Sequence, residues 1–434
     1  MSGLRGEDEV VGICQDLIRI DTSNFGNNEG PGEREAAEYV ARLIDEAGLS
    51  PEIHEAAPGR ASVVTRMPGK NPSLPALVVH GHLDVVPAQK EDWSVDPFSG
   101  EERDGLIWGR GAVDMKDMDA MILAVLRQMR RDDVQPERDL IFGFFADEEA
   151  GGDYGASWLV DNKPELFDGA TEAISEVGGF SSTIGGKRAY LLQTAEKGIS
   201  WLRLTAHGRA GHGSHINTDN AVTRLARAVA RVGDHTWPIE LTDTTREFVG
   251  RVTELTGVEF DAENPDTLLA ELGTLSRFVG ATLQNTANPT LLKSGYKHNV
   301  IPGTAEALID VRTLPGQEES VLEIIRHLAG EGVDVTSDHS DVSLEVPFSG
   351  DLVDSMIGAL QAEDPGAPVL PYTLSGGTDN KSLSRLGITG YGFAPLQLPD
   401  ELDFTGMFHG VDERVPTESL KFGTRVLNRL LTTY

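Results

Sequence analysis

Cysteine is nearly missing from this sequence: Cys14 is the only one among 434 residues. A lone thiol excludes an internal disulfide and any site built from several thiolates. It sits in an apolar helical run from Val10 to Ile20 and reads as a core residue. Basic charge is scarce too. Lys and Arg number 37 against 69 Asp and Glu, a formal net charge of -32. Such a field repels phosphate backbones and anionic lipid surfaces, which excludes nucleic acid and membrane as partners. Long hydrophobic runs are absent: none is long enough to span a bilayer, and Met1 to Asp8 carry no apolar signal region. A cytoplasmic enzyme or binding protein is expected.

What is present is length, glycine and a repeated alternation. The chain exceeds what one core usually holds, so two domains are expected. Up to about residue 196, strand-like runs (Ser62–Arg66, Leu77–Val79, Leu140–Phe145, Ala173–Val177) alternate with helix-like ones (Glu33–Ala47, Met115–Met129, Ala156–Val160). That order implies an α/β fold with a mostly parallel mixed sheet covered by helices. The Met stripe of the 115–129 helix reads as core packing. From Lys197 the pattern becomes β-α-β-β-α-β, the split arrangement of a small ferredoxin-like α+β unit. The stretch 236–288, polar and helical in places, reads as an insertion in that unit. Residues 348–434 return to the first pattern. The expected domains are thus 1–196 with 348–434, and an inserted lid or dimerisation domain at 197–347.

The candidate chemistry gathers at strand ends. The apolar run Val78-Val79 releases His80, Gly81, His82, Leu83 and Asp84. His82 and Asp84 stand two apart, where an extended chain puts side chains on one face, so the Asp84 carboxylate is expected to hold one ring nitrogen of His82 and aim the other at a metal. Asp114 ends a glycine-rich turn entering a helix. Glu148 and Glu149 follow Leu140–Phe145, and Glu176 follows Ala173. In open α/β sheets ligands bind outside the carboxyl ends of the strands, so these residues are expected at one edge. One His and several carboxylates there suit a divalent cation, zinc first, with cobalt or manganese as alternatives. His409, in Phe408-His409-Gly410, adds a second imidazole for a two-metal site.

In combination, the motifs HGHLDVVP, GRGAVDMK, ADEE, SEVGG, GRAGHGS, HNVIPG, DVR, SGGTD and FHG resemble those of the dinuclear-zinc metallopeptidases typified by aminoacylase, acetylornithine deacetylase, succinyl-diaminopimelate desuccinylase and glutamate carboxypeptidase. The resemblance runs from about Val10 to the C-terminus. It implies a zinc-peptidase-like catalytic domain and two Zn2+ per subunit. His82 and Glu176 are implied as ligands of one ion, Glu149 and His409 of the other, with Asp114 bridging. Glu148 is implied as general base and Asp84 as the partner of His82, and the Asp114–Met115 peptide as cis. The resemblance further implies that His212 reaches the active site of a partner subunit in a homodimer formed through the lid. Asn299 and Arg312 then bind a substrate carboxylate, and Gly376 and Gly377 approach the substrate with their backbone. Asp117 departs from the family, which has Gly there; only a local change is expected. The implied reaction is amide hydrolysis of a small carboxylate-bearing molecule, an N-acyl amino acid, with a short peptide (carboxypeptidase or dipeptidase action) as the alternative. A non-catalytic metal-binding protein is the remote alternative, disfavoured because Glu148 and all the ligands are present.

Overall fold

Continuous apolar runs become the buried centre of a large sheet. In the computed structural model, which describes residues 3–434, this sheet has ten strands. Its middle is parallel: Leu140–Phe145, Ala76–His82, Ala170–Ser175 and Thr389–Gly392 lie side by side in that order. Antiparallel strands flank them, Arg60–Met67 and Glu52–Ala57 on one side and Lys187–Glu196 on the other. The sheet is therefore mixed, with parallel pairing concentrated where both faces are covered.

Alternation along one strand shows the two covered faces. Leu77 and Val79 pack into the larger core, while Ala76 and Val78 pack into a second cluster with Leu159 and Phe167. The helix Lys116–Arg131 lies on the first face. Its Met118, Met121 and Met129 are wholly buried, as core packing requires. Because the central strands are parallel, their carboxyl ends share one edge. His82 ends one strand, and the residues just after Phe145 and Ser175 carry Glu148, Glu149 and Glu176.

A second sheet of four antiparallel strands runs in the order Thr286–Ser294, Thr304–Thr313, Gly198–His207, Val333–Asp341. Helices Ala221–Gly233 and Glu318–Ala329 cover one face, with Leu204, Leu225, Ile309 and Ile325 in the core between them. The alternating burial of Thr304–Thr313 puts Ile309 and Val311 in that core and leaves Asp310 and Arg312 on the other face.

Most of the 236–288 stretch departs from the expected insertion in the second unit, although Trp237 and Ala287 at its two ends stay in that unit's core. Its helices, Asp243–Thr256 and the short turns from Asp266 to Gly280, bury Phe248, Val252, Leu268, Leu272 and Val279 in the larger core. Thr244 Oγ1 also meets Thr194 Oγ1 at 3.1 Å, on the large sheet. The apolar spacing was helical, but spacing alone does not say which core receives the face. Among the described residues no helix is long and apolar enough to cross a membrane.

Candidate metal centre

His82 is 1% exposed at the end of its strand, and both ring nitrogens are engaged. Nδ1 lies 2.9 Å from the backbone carbonyl of Asp84 and 3.6 Å from its carboxylate. The carbonyl is thus the nearer acceptor, with the carboxylate behind it at ion-pairing range. The Asp84 carboxylate also holds the acidic turn. It accepts N–H bonds from Glu148 and Glu149, each 3.1 Å, and an amide N–H of Asn24 at 2.9 Å.

Asp147 precedes Glu148 with φ of 65°, the left-handed region, and Glu148–Ala150 then form a tight helical turn. The two glutamates therefore diverge because of this turn. The Asn24 amide also reaches Asp147 at 2.9 Å and so ties the turn to Asp84.

Asp114 is held from below. The buried carboxylate of Glu413 accepts N–H bonds from Gly111, Val113 and Asp114 at 3.1, 2.8 and 3.1 Å, and pairs with Arg110 at 2.8 Å. The Asp114–Met115 peptide is cis, as the resemblance implied. Asp114 Oδ1 faces His82 Nε2 at 3.2 Å, and Oδ2 faces His409 Nε2 at 3.3 Å. His82 Nε2 is also 3.6 Å from Glu176, and His409 Nε2 is 3.1 Å from Glu149. The side chains form two ligand triads, His82–Asp114–Glu176 and Asp114–Glu149–His409, each with its donor atoms within 4.8 Å of one another. Glu148 belongs to neither, and its carboxylate lies 4.0 Å from His82 Nε2.

The electrostatics fit cations at this place. Burial, then the Glu176 carboxylate, push Glu148 well above the usual range. Burial and Asp114 raise Glu149 to about 7. Burial works against a charged His82, yet the Glu176, Asp114 and Asp84 oxygens outweigh it and hold its pKa well above the ordinary value. Hydrogen bonds to Asp114 and Glu149 raise His409 to about 10. Glu149 Oε1 is buried with no protein partner. Four carboxylates gathered around buried His82, with exposed His409 closing one side, suit divalent ions, whose charge reverses the penalty on each carboxylate.

A cleft of about 340 Å³ opens over the centre and reaches the second sheet. Arg312, Gly376 and Gly377 line it together with Glu148 and His409. The Arg312 guanidinium is already paired with Asp310, Nε at 2.7 Å and Nη2 at 3.0 Å. His212 and Asn299 do not line the cleft. Both lie exposed on a short ribbon, where Gly211–His212 pairs with Val300–Ile301 and Gly213 N–H donates to Asn299 O at 2.9 Å.

The sequence reading missed Glu413 and Asn24, which act on backbone and on other carboxylates. Glu413 stands four residues after His409, the one signal that pointed to it. It also missed Trp201, Phe278 and His339, which line the cleft. Asp117 is buried, its Oδ1 lacks a partner, and burial drives its carboxyl well above the usual range. His80 stays outside the centre. Its Nε2 meets Asn380 Oδ1 at 3.0 Å, its ring packs on Phe145, and burial lowers its pKa to about 4.

Known proteins resemble this chain over nearly its whole length. A model of peptidase family M20/M25/M40 matches residues 78–433. The N-fatty-acyl-amino acid synthase/hydrolase of Xenopus tropicalis is 29% identical over 436 residues, covering 95% of this chain and 83% of that protein. Aminoacylase-1 of Sus scrofa is 27% identical over 446 residues, covering 99% and 96%. The crystal structure of an M20 family metallo-carboxypeptidase from Sulfolobus solfataricus superposes with a TM-score of 0.76 at 18% identity, covering 98% of this chain and 99% of that one.

Proposed function

The chain belongs to peptidase family M20/M25/M40, and from that premise we propose that it deacylates N-acyl amino acids with two zinc ions and Glu148 as general base. At the coarser level it is a metal-dependent hydrolase that cleaves amide bonds in small substrates. The observation that carries the finer reading is the pair of triads sharing Asp114, with a third carboxylate, Glu148, beside them and outside both.

His82, Asp114 and Glu176 would hold one ion, and Asp114, Glu149 and His409 the other; His and carboxylate donors without thiolate suit zinc and admit cobalt or manganese. When bound, the pair supplies the positive charge that acidifies a water and polarises the substrate carbonyl. Glu148 takes the water proton and returns it to the departing amine. Burial and Glu176 raise its proton affinity, which a base needs. Asp84 fixes the turn that aims Glu148 and Glu149, through two backbone N–H bonds. Arg312 keeps Nη1 hydrogens that Asp310 does not take, and these are suited to a substrate carboxylate. Gly376 and Gly377 bring bare backbone to the same cleft.

His212 and Asn299 stand outside this cleft, so in this reading a second copy of the chain brings them in across a homodimer formed through the smaller unit. Exposed Leu291, Leu292 and Tyr296 on and beside its edge strand support that docking. His212 then donates to the oxyanion of the tetrahedral species.

Turnover on a panel of N-acyl amino acids and dipeptides, with zinc added, tests the reading. N-acyl amino acids are expected to be hydrolysed, and faster than dipeptides. Hydrolysis of dipeptides alone would overturn it in favour of a peptidase.

A further inference from the structure

The proposed reaction leaves one wall of the cleft unused. Arg312 serves a carboxylate and the metal centre serves the amide, yet Ile199, Trp201, Phe278 and Leu374 line the same space. Trp201 is 45% exposed, on the face of its strand turned away from the core of the small sheet. Its ring packs on His339, its register partner on the neighbouring strand, with centroids 4.9 Å apart. Ile199 precedes it by two residues on the same face and stands opposite Arg312 in register. Phe278 comes from elsewhere. The helical stretch that joins the larger core ends near it, and its ring packs on Tyr372 at 5.7 Å. Two separate parts of the chain thus deliver an aromatic ring to one cleft, and the proposed carboxylate and amide contacts occupy neither.

A large side chain left half in water inside a cleft is an apolar surface without a partner. Ligand sites characteristically combine such walls with a few polar anchors, at volumes like that of this cleft. We propose that Trp201 and Phe278 form an apolar subsite that selects substrates carrying a bulky aromatic or long aliphatic group next to the scissile amide. The inference rests on the N-acyl amino acid reading. The apolar group has two chemical sources, the acyl chain or the amino-acid side chain, and the subsite reads the group by its size and lack of charge.

The test measures kcat/KM of the zinc-loaded enzyme on two series. One lengthens the acyl group from acetyl to decanoyl on a fixed amino acid. The other enlarges the amino acid from Gly to Phe under a fixed acetyl group. At least one series should climb about tenfold or more, since one methylene in an apolar pocket already discriminates at roughly that level. Trp201→Ala and Phe278→Leu should flatten that climb, and Trp201→Phe should restore most of it. A loss of packing alone would lower every member equally and leave the ratio intact, with metal content and thermal melting read alongside. Two flat series, or a climb untouched in both variants, overturn the subsite. Should only dipeptides be cleaved, the N-acyl reading fails instead, and the same climb is sought with dipeptides enlarged from Gly to Phe. A flat dipeptide series then overturns the subsite as well.

Discussion

The carboxyl edge of the large sheet and the ribbon of the smaller unit carry the same kinds of residue under opposite conditions. His82 is buried, with one nitrogen on a carbonyl and the other facing carboxylates. His212 is exposed, and its Nδ1 meets only its neighbour Ser214, at 2.7 Å to Oγ. Glu149 and Asp114 sit in loops pinned by Asp84 and Glu413, whereas Asn299 holds its ribbon through its backbone and leaves its side chain in solvent. One region gathers its side chains around the cleft, and the other leaves His212 and Asn299 outside it. A metal centre needs donors fixed to fractions of an ångström before the ion arrives, which a buried edge supplies.

The sharpest way to break the comparison is to remove what the first region is arranged to hold. Dialysis against a chelator should abolish turnover, with zinc or cobalt restoring it; full activity in a verified metal-free sample would end the metal reading. Next in size comes the pair of neighbouring glutamates. Glu148→Gln keeps the shape and removes the base, so turnover should drop by ~10²–10⁴-fold while metal content stays at its wild-type level. Glu149→Gln should lower metal occupancy, because an amide is a weaker zinc ligand than a carboxylate. Metal analysis beside kinetics on both variants checks this. Loss of zinc from Glu148→Gln, with Glu149→Gln fully loaded and merely slow, would reverse the two roles.

The two regions also differ in how far they could be read in advance. The sheet edge was legible because its residues trail apolar strands: a run such as Leu140–Phe145 announces a buried strand, and the residues after it must emerge at the edge. The supports of that edge were not. Glu413 works by accepting three backbone N–H groups some 300 residues away, and nothing in local spacing encodes that contact. Asp84 was expected beside His82, but its spacing from His82 gave no sign of the backbone N–H groups of Glu148 and Glu149 that its carboxylate accepts. The β-α-β-β-α-β order of the smaller unit was readable from periodicity. The allegiance of 236–288 was not, because an amphipathic helix reveals that it has a buried face without naming the core that buries it.

Arg312 lies between the two regions, on the smaller sheet yet lining the cleft. Its pairing with Asp310 gives it a second, structural use. Arg312→Ala should lose roughly ten- to a hundredfold in kcat/KM on a free acid, the range for a buried charge-assisted contact of about 1.5–3 kcal/mol. Loss on the matching amide or ester should be much smaller. Equal losses on both would mean that the Asp310–Arg312 pair only stiffens the strand.

The smallest expected signal bears on whether the ribbon works in trans. Mix Glu148→Gln chains with His212→Ala chains, each inactive alone. In a hybrid dimer one site lacks both groups. The other has Glu148 from its own chain and His212 from its neighbour. Random pairing makes about half of the dimers hybrid, so roughly a quarter of all sites regain both groups. Activity should rise toward that fraction as subunits exchange. Labelled chains report the exchange independently. Exchange without any rise would show that His212 does not act across an interface, and the contrast between a finished region and an unfinished one would then reduce to a difference in burial alone.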